Sequence, residues 1–357
     1  MGGIATEILL QSKIMTKSFH PKLKIVSDLP RNGLNSFTSL AKLIRQNKMT
    51  LVLGAGVSAS AGLPSWTLLL RRIVSTYFAH WEFDKQSGNA SNASPPRNLS
   101  IAFWEEFHWS DQTKKIAEEL VNREDLLHLA QMIKARVRSS DWSYLVSKSL
   151  YRRDSLPPTS KLLKDIAGLC ANEAIDAEVL SYNYDNLVEV ALSELAVRTT
   201  CLWEGRKETK IGTVPIYYPH GYLKHGGGPK VSIVLGEDDY HQYATNQYGW
   251  NNSIQLRQFL RSTCVFLGFS LTDPQVRRLL WVTKESGGER HYAFLPTPTN
   301  KDDKAEMLES LFDAQLRDVN VYVIRYSAGP DGRDHSRLSE LISMLGALAE
   351  NPSPLWE

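Results

Sequence analysis

The stretch LVLGAGVSASAGLPSW, residues 51 to 66, decides the fold. Leu51, Val52 and Leu53 close the apolar run MTLVL (49 to 53), short and continuous enough for a strand buried on both faces. Gly54-Ala55-Gly56 then opens a turn into a segment bearing Ser58, Ser60 and Gly62. Glycines at such a turn let the backbone approach a phosphate, whose charge is met by N–H groups at the start of the next helix. The same strand-turn-helix also arises for packing alone. No G-K-[ST] follows the glycines, which excludes a P-loop. No Asp or Glu occurs from Gly54 through Trp81, so the acid that dehydrogenase-type sites place about 20 residues on to hold a ribose hydroxyl is missing.

Upstream, FTSLAKLIRQ (37 to 46) has apolar residues at helical spacing, and residues 1 to 35 read as a turn-rich N-terminal extension. Downstream, the pattern from Trp66 through LLLRRIVSTYFAHWEF is helical, and QSGNASNASPPRN (86 to 98) reads as a loop. Residues 100 to 153 hold helical signals, KKIAEELV and DLLHLAQMIKARV, and no strong strand. Because strands resume afterwards, we read a helical insertion of about residues 70 to 155 within one sheet. Strands are expected at EVLSYN (178 to 183), VPIYYPH (214 to 220), KVSIVLG (230 to 236), TCVFLGF (263 to 269), HYAFLP (291 to 296) and NVYVIRY (320 to 326). The helices SKLLKDIAGLCA and NLVEVALSEL flank the first of these, and LSELISMLGALA closes the domain near residue 345, leaving 346 to 357 as a tail. Alternating strand and helix predicts an α/β fold, a Rossmann-like and mainly parallel sheet with helices on both faces.

Three further patches stand where open α/β sheets place ligands, at the carboxyl ends of strands. The first is Leu180-Ser181-Tyr182-Asn183-Tyr184-Asp185, in which Asp185 reads equally as a helix N-cap and as a functional acid. The second is Tyr218-Pro219-His220-Gly221, and the third runs from Leu267 through Gly268, Phe269, Ser270, Leu271, Thr272 and Asp273 to Pro274. In this order and spacing, GAGVSASAGLPSW, SYNYDNLVE, YPHG and GFSLTDP resemble the sirtuin-like superfamily. More narrowly they resemble its bacterial NAD-consuming branch found in antiphage defence, which also favours an acidic-acidic-tyrosine stretch matched by Glu237-Asp238-Asp239-Tyr240. The resemblance covers about residues 40 to 330.

That resemblance implies NAD as substrate and cleavage of its nicotinamide–ribose bond. It assigns the chemistry to Asn183, orienting the attacking water on the ribose, and to His220, as general base or as a hold on a ribose hydroxyl. Gly54, Ala55, Gly56 and Ser58 are then expected at the pyrophosphate, and Gly268, Ser270 and Asp273 at the adenosine half. Asp185 either supports the charge developing on the ribose or caps its helix. Pro64 and Trp66 shape the pocket wall, unless Trp66 belongs to the core.

Deacetylases of the superfamily carry a four-cysteine zinc module needing two C-x-x-C pairs. This chain has only Cys170, Cys201 and Cys264, scattered and expected buried and reduced, so no zinc module and no other metal is expected. A net charge of +2 asks for neither nucleic acid nor a membrane, and the absence of a signal peptide or an 18-residue apolar span points to the cytoplasm. Homo-oligomers or a separately encoded defence partner are expected as the means of activation. Two other readings stay open at this point: a non-catalytic NAD or ADP-ribose-binding regulatory subunit, and a protein deacylase or ADP-ribosyltransferase.

Overall fold

A computed structural model describes residues 29–46, 48–86, 88, 111, 115, 118–119, 122, 125–151, 155–206, 208–227, 231–297, 302–329 and 334–350. Helix α1 (Arg31–Leu43) leads into β1 (Met49–Leu53), the short α2 (Ala55–Ala59) and α3 (Trp66–Gln86). Helices α4 (Leu126–Lys134), α5 (Ser139–Leu150) and α6 (Lys161–Ala171) precede β2 (Ala177–Ser181) and α7 (Leu187–Glu194). Two strands follow, β3 (Thr199–Leu202) and β4 (Val214–Tyr217), then α8 (Glu237–Thr245), α9 (Trp250–Arg261) and β5 (Thr263–Leu267). The described chain finishes with α10 (Pro274–Glu285), β6 (His291–Pro296), α11 (Asp303–Asp318), β7 (Val321–Tyr326) and α12 (Ser336–Glu350).

The seven strands form one sheet in the order β3-β4-β2-β1-β5-β6-β7, and every pairing is parallel. All residues of β1, β2 and β5 are buried, as expected for central strands covered on both faces. Alternation along β1 divides the core. Met49, Leu51 and Leu53 face the layer containing Phe37 of α1, Ile73 of α3 and Leu341 of α12, whereas Val52 faces Ile254, Val276 and Leu316 of α9, α10 and α11. Thr50, on the second face, joins a buried polar chain in which its hydroxyl donates to Gln258 at 3.0 Å and Gln258 donates to Glu178 at 2.7 Å. Lys48 neutralises that glutamate at 2.6 Å.

β1 lies between β2 and β5, in register Leu53↔Ser181 and Leu53↔Leu267. The chain therefore leaves the sheet after Leu53 and re-enters at Ala177 beside the strand it left, with helices α2 to α6 in between. Helix α3 begins at Trp66, where the helical pattern starts in the sequence, and α4 opens on Asp125, whose carboxylate accepts the N–H groups of Leu127 and His128. The expected loop at 86 to 98 and the helical signal KKIAEELV fall largely outside the described residues, as do residues 1 to 28 and 351 to 357.

Four expectations need correction. KVSIVLG forms no strand over its described residues 231 to 236. Its apolar side chains are buried because the segment packs against the loop after β4, with Val234 N–H donating to His220 O at 3.0 Å; the pattern reports burial and not pairing. β3 was not expected, since TTCL is short, polar and half-buried, as edge strands are. Cys201 lies on that strand and is half-buried, whereas Cys170 and Cys264 are buried; all three are free thiols. At the ends, α1 starts at Arg31, inside the supposed extension, and α12 continues to Glu350 with Leu348 and Ala349 buried, so residues 346 to 350 belong to the packed domain. Among the described residues no helix is long and apolar enough to cross a membrane.

Candidate active site

The order of strands reverses direction at β1, and the crevice that this creates opens beyond the carboxyl ends of β1, β2, β4 and β5. A cavity of about 630 Å³ occupies it. All twelve residues singled out from the sequence line this one cavity: Gly54, Ala55, Gly56, Ser58, Pro64, Trp66, Asn183, Asp185, His220, Gly268, Ser270 and Asp273.

The glycines serve first to bring two turns together. Gly54 N–H donates to Leu267 O at 3.0 Å and Gly56 N–H to Gly268 O at 2.9 Å, stitching the turn after β1 to the turn after β5. A Cβ on Gly54 would lie 2.5 Å from Gly268 O. Gly268 has φ +59°, and a Cβ there would lie 2.4 Å from Val57 N. Gly54 and Gly56 thus give the cavity a close backbone wall, with their own N–H groups already engaged.

Ser58 borders the cavity with its hydroxyl already engaged. It is buried, its Oγ accepts from Asn183 Nδ2 at 2.8 Å, and its hydroxyl donates to Asp185 Oδ2 at 2.6 Å. Asn183 Nδ2 also donates to Gly54 O at 2.9 Å. Because a carbonyl can only accept, the amide nitrogen must face Gly54, and both of its hydrogens are consumed. What Asn183 offers to the cavity is its acceptor oxygen, Oδ1. Asp185 Oδ1 accepts Leu187 N–H at 3.0 Å at the start of α7, whose N-cap residue is Asn186, and the residue also borders the cavity. Burial raises its pKa, opposed by the Ser58 hydroxyl.

His220 follows β4 and is held by its carbonyl, which takes Val234 N–H. Its ring meets Tyr182 edge-on at 4.8 Å between centroids, with Tyr240 and Tyr243 each at 6.0 Å. These tyrosines are themselves anchored, through Tyr182 to Gln255, Tyr240 to Asp273 at 3.4 Å and Tyr243 to Pro219 O. Burial lowers the pKa of His220, with Asp273 and Asp239 pulling it back up, so the ring is biased towards its neutral, basic form.

Asp273 is the N-cap of α10, accepting Gln275 N–H at 2.8 Å and Val276 N–H at 3.4 Å. Ser270 sits at the exposed rim, 2.7 Å from the hydroxyl of Thr272. Trp66 is both wall and core, for it lines the cavity while packing on the main hydrophobic cluster.

Sequence reasoning missed Phe269, Tyr182 and the leucines Leu127 and Leu150, which the insertion helices bring to the same cavity. Phe269 and Tyr182 lay inside quoted motifs and pack ring to ring at 4.8 Å. Nothing local marks Leu127 or Leu150. Among the described lining residues two are acidic, Asp185 and Asp273, and none is Lys or Arg. No group of three His, Cys, Asp or Glu among the described residues is arranged to hold a metal ion.

Comparison with known proteins follows the same segments. A family model described as SIR2-like domain matches residues 177–324, from β2 to β7. Defense-associated sirtuin 2 of Bacillus subtilis is 24% identical over 337 residues, covering 90% of this chain and 29% of that protein. NAD(+) hydrolase ThsA of Enterococcus faecium is 29% identical over 121 residues, covering 32% of this chain and 24% of its own length. The chain thus spans less than a third of either relative. A solved Sir2 homologue mutant in complex with ADP-ribose aligns with 87% of this chain and 96% of its own at 14% identity, with a TM-score of 0.37. The chain is thus similar to a SIR2-like domain over residues 177–324, the part that holds β2 through β7 of the parallel sheet.

Proposed function

We propose that the chain is an NAD+ glycohydrolase that splits the nicotinamide–ribose bond to give nicotinamide and ADP-ribose. The observation that carries this reading is the pairing, within one cavity, of an asparagine that presents only an acceptor oxygen with a buried histidine biased to be neutral. NAD is the substrate, and no metal enters the scheme.

The bond that breaks joins ribose C1′ to the cationic pyridinium nitrogen. Its electron pair passes to that nitrogen, so nicotinamide leaves neutral and needs no general acid. A water oxygen bonds to C1′, and the proton it sheds passes to His220. Asn183 Oδ1 accepts a hydrogen bond from that water or from a ribose hydroxyl. Ser58 acts behind it as a positioning residue, tying Asn183 to Asp185. A wall whose described residues include two carboxylates and no Lys or Arg suits the positive charge that nicotinamide brings and that the ribose develops as the bond opens. The phosphates are then held by the backbone at Ala55, and the adenosine half lies against Gly268, Ser270 and Asp273.

The names of the relatives, a defense-associated sirtuin and NAD(+) hydrolases, support an NAD-depleting effector of antiphage defence. Its trigger is assembly of like chains or a separately encoded partner.

The pH dependence of nicotinamide release tests the assignment of the base. Since His220 must be neutral to accept the proton and burial lowers its pKa, kcat/KM should be flat through neutrality. It should fall only at pH values below the ordinary histidine range of about 6.5. A limb centred above pH 7 and absent from His220→Gln would contradict a neutral buried base.

A further inference from the structure

The stretch Glu237-Asp238-Asp239-Tyr240 takes no direct part in the proposed reaction, yet it opens α8, and each of its acids meets a residue of α4 in the insertion. Glu237 Oε2 pairs with His128 Nδ1 at 3.0 Å, Asp238 accepts from Gln131, and Asp239 pairs with Lys134. His128, Gln131 and Lys134 are three apart, hence on one face of α4. The turn before α8 meets the same face, since a Cβ on Gly236 would lie 2.5 Å from the side-chain Oε1 of Gln131 and 3.5 Å from its Cα. The same helix α4 sends Leu127 to the wall of the nucleotide cavity.

Asp239 differs from its two neighbours in being buried. Its Oδ2 accepts the N–H groups of Leu235 at 3.0 Å and Gly236 at 2.9 Å, folding the turn that precedes α8. That turn is the one whose Val234 N–H holds the carbonyl of His220. One and four residues beyond Asp239, Tyr240 and Tyr243 place their rings against the imidazole. A buried carboxylate at such a junction needs a counter-ion, and the described cation that reaches it comes from the insertion.

We propose that Lys134 is a positioning residue for His220, acting through Asp239, so that the helical insertion sets the placement and the charge surroundings of the base. This rests on the reading of His220 as the base only for its catalytic consequence. Besides Asp239, the titratable groups around the ring are Asp273 at the start of α10, Tyr182 after β2, Tyr240 and Tyr243 on α8, and Asp185 lining the same cavity. Burial raises the pKa of all three tyrosines, so at neutral pH the fields that vary are those of the carboxylates. Without the Lys134 ammonium, the negative charge of Asp239 acts on His220 uncompensated, and the imidazole keeps its proton to higher pH.

The full chain with ¹³C-labelled histidine gives the titration of His220 by NMR, the resonance being assigned by its loss in His220→Gln. Lys134→Met should raise the midpoint by about half a pH unit or more, and Lys134→Arg should leave it close to native. Asp239→Asn removes the field and should move the midpoint the other way, which keeps the test open if Lys134→Met fails to fold. A native-like titration in folded Lys134→Met, an equal shift in Lys134→Arg, or an upward shift in Asp239→Asn would each overturn the proposal. Nicotinamide release followed on the same samples should show its acid limb moving in step, with kcat altered more than KM. If the titrations move as expected while native chain and variants alike leave NAD whole, the positioning role stands and the hydrolase reading falls.

Discussion

His220→Gln should lower kcat for nicotinamide release by roughly 100- to 10,000-fold, the usual worth of a placed general base. Glutamine nearly fills the space of the imidazole between Tyr182, Tyr240 and Tyr243 but has no basic nitrogen at neutral pH. The loss should therefore appear in kcat, with NAD still bound. Asn183→Ala should behave differently. It removes the acceptor facing the cavity and also releases Gly54 O and Ser58 Oγ, which Asn183 Nδ2 now satisfies at 2.9 and 2.8 Å. Its loss of about 100-fold or more should be divided between kcat and KM, because the wall that holds the substrate moves with it. Rates and affinities for the pair of variants, measured side by side by release of labelled nicotinamide, distinguish a base from a scaffold.

The second large effect is on the fold itself. Gly268→Ala should destabilise the chain by about 2 to 4 kcal/mol, combining left-handed backbone strain with a clash that no side chain can relieve. At φ +59° the new Cβ would stand 2.4 Å from Val57 N and 2.8 Å from Gly56 C, both main-chain atoms. The turns after β1 and β5 would have to part, breaking the Gly56 N–H to Gly268 O bond and opening the cavity floor. A chemical-denaturation curve gives the loss directly, and NAD affinity should fall with it. Gly62→Ala is the control within the same motif: Gly62 also has positive φ, but a Cβ there would meet nothing within 4 Å. It should cost only the strain, about 1 to 2 kcal/mol.

What could be read in the sequence followed from how each residue is used. MTLVL announces β1 because a central parallel strand is buried on both faces and so needs no alternation. The edge strand β3, TTCL, carries no such mark, since half of it faces solvent. KVSIVLG carries the mark without the strand, because burial against a loop selects the same residues as burial in a sheet. The candidate site was legible as a set of strand ends. The role of Ser58 was not, for its partners Asn183 and Asp185 lie 125 and 127 residues away and only folding brings them together. The same holds for Leu127 and Leu150, whose contribution depends on how the insertion returns over the sheet. Asp185 shows the limit most clearly: accepting the Leu187 N–H at the start of α7 and bordering the cavity are compatible, so the sequence alternatives did not exclude each other.

In the proposed reaction the GAGVSASAGLPSW turn supplies a close wall for the dinucleotide, while Asn183 and His220 act on its nicotinamide–ribose bond. The most direct measurement is to incubate NAD at saturating concentration with the native chain, Asn183→Ala and His220→Gln, and to follow nicotinamide and ADP-ribose together by NMR. Release of both products in equal amounts by the native chain, and its collapse in both variants, is the predicted result. Undiminished release by the two variants, or ADP-ribose recovered on protein instead of free in solution, would contradict the account.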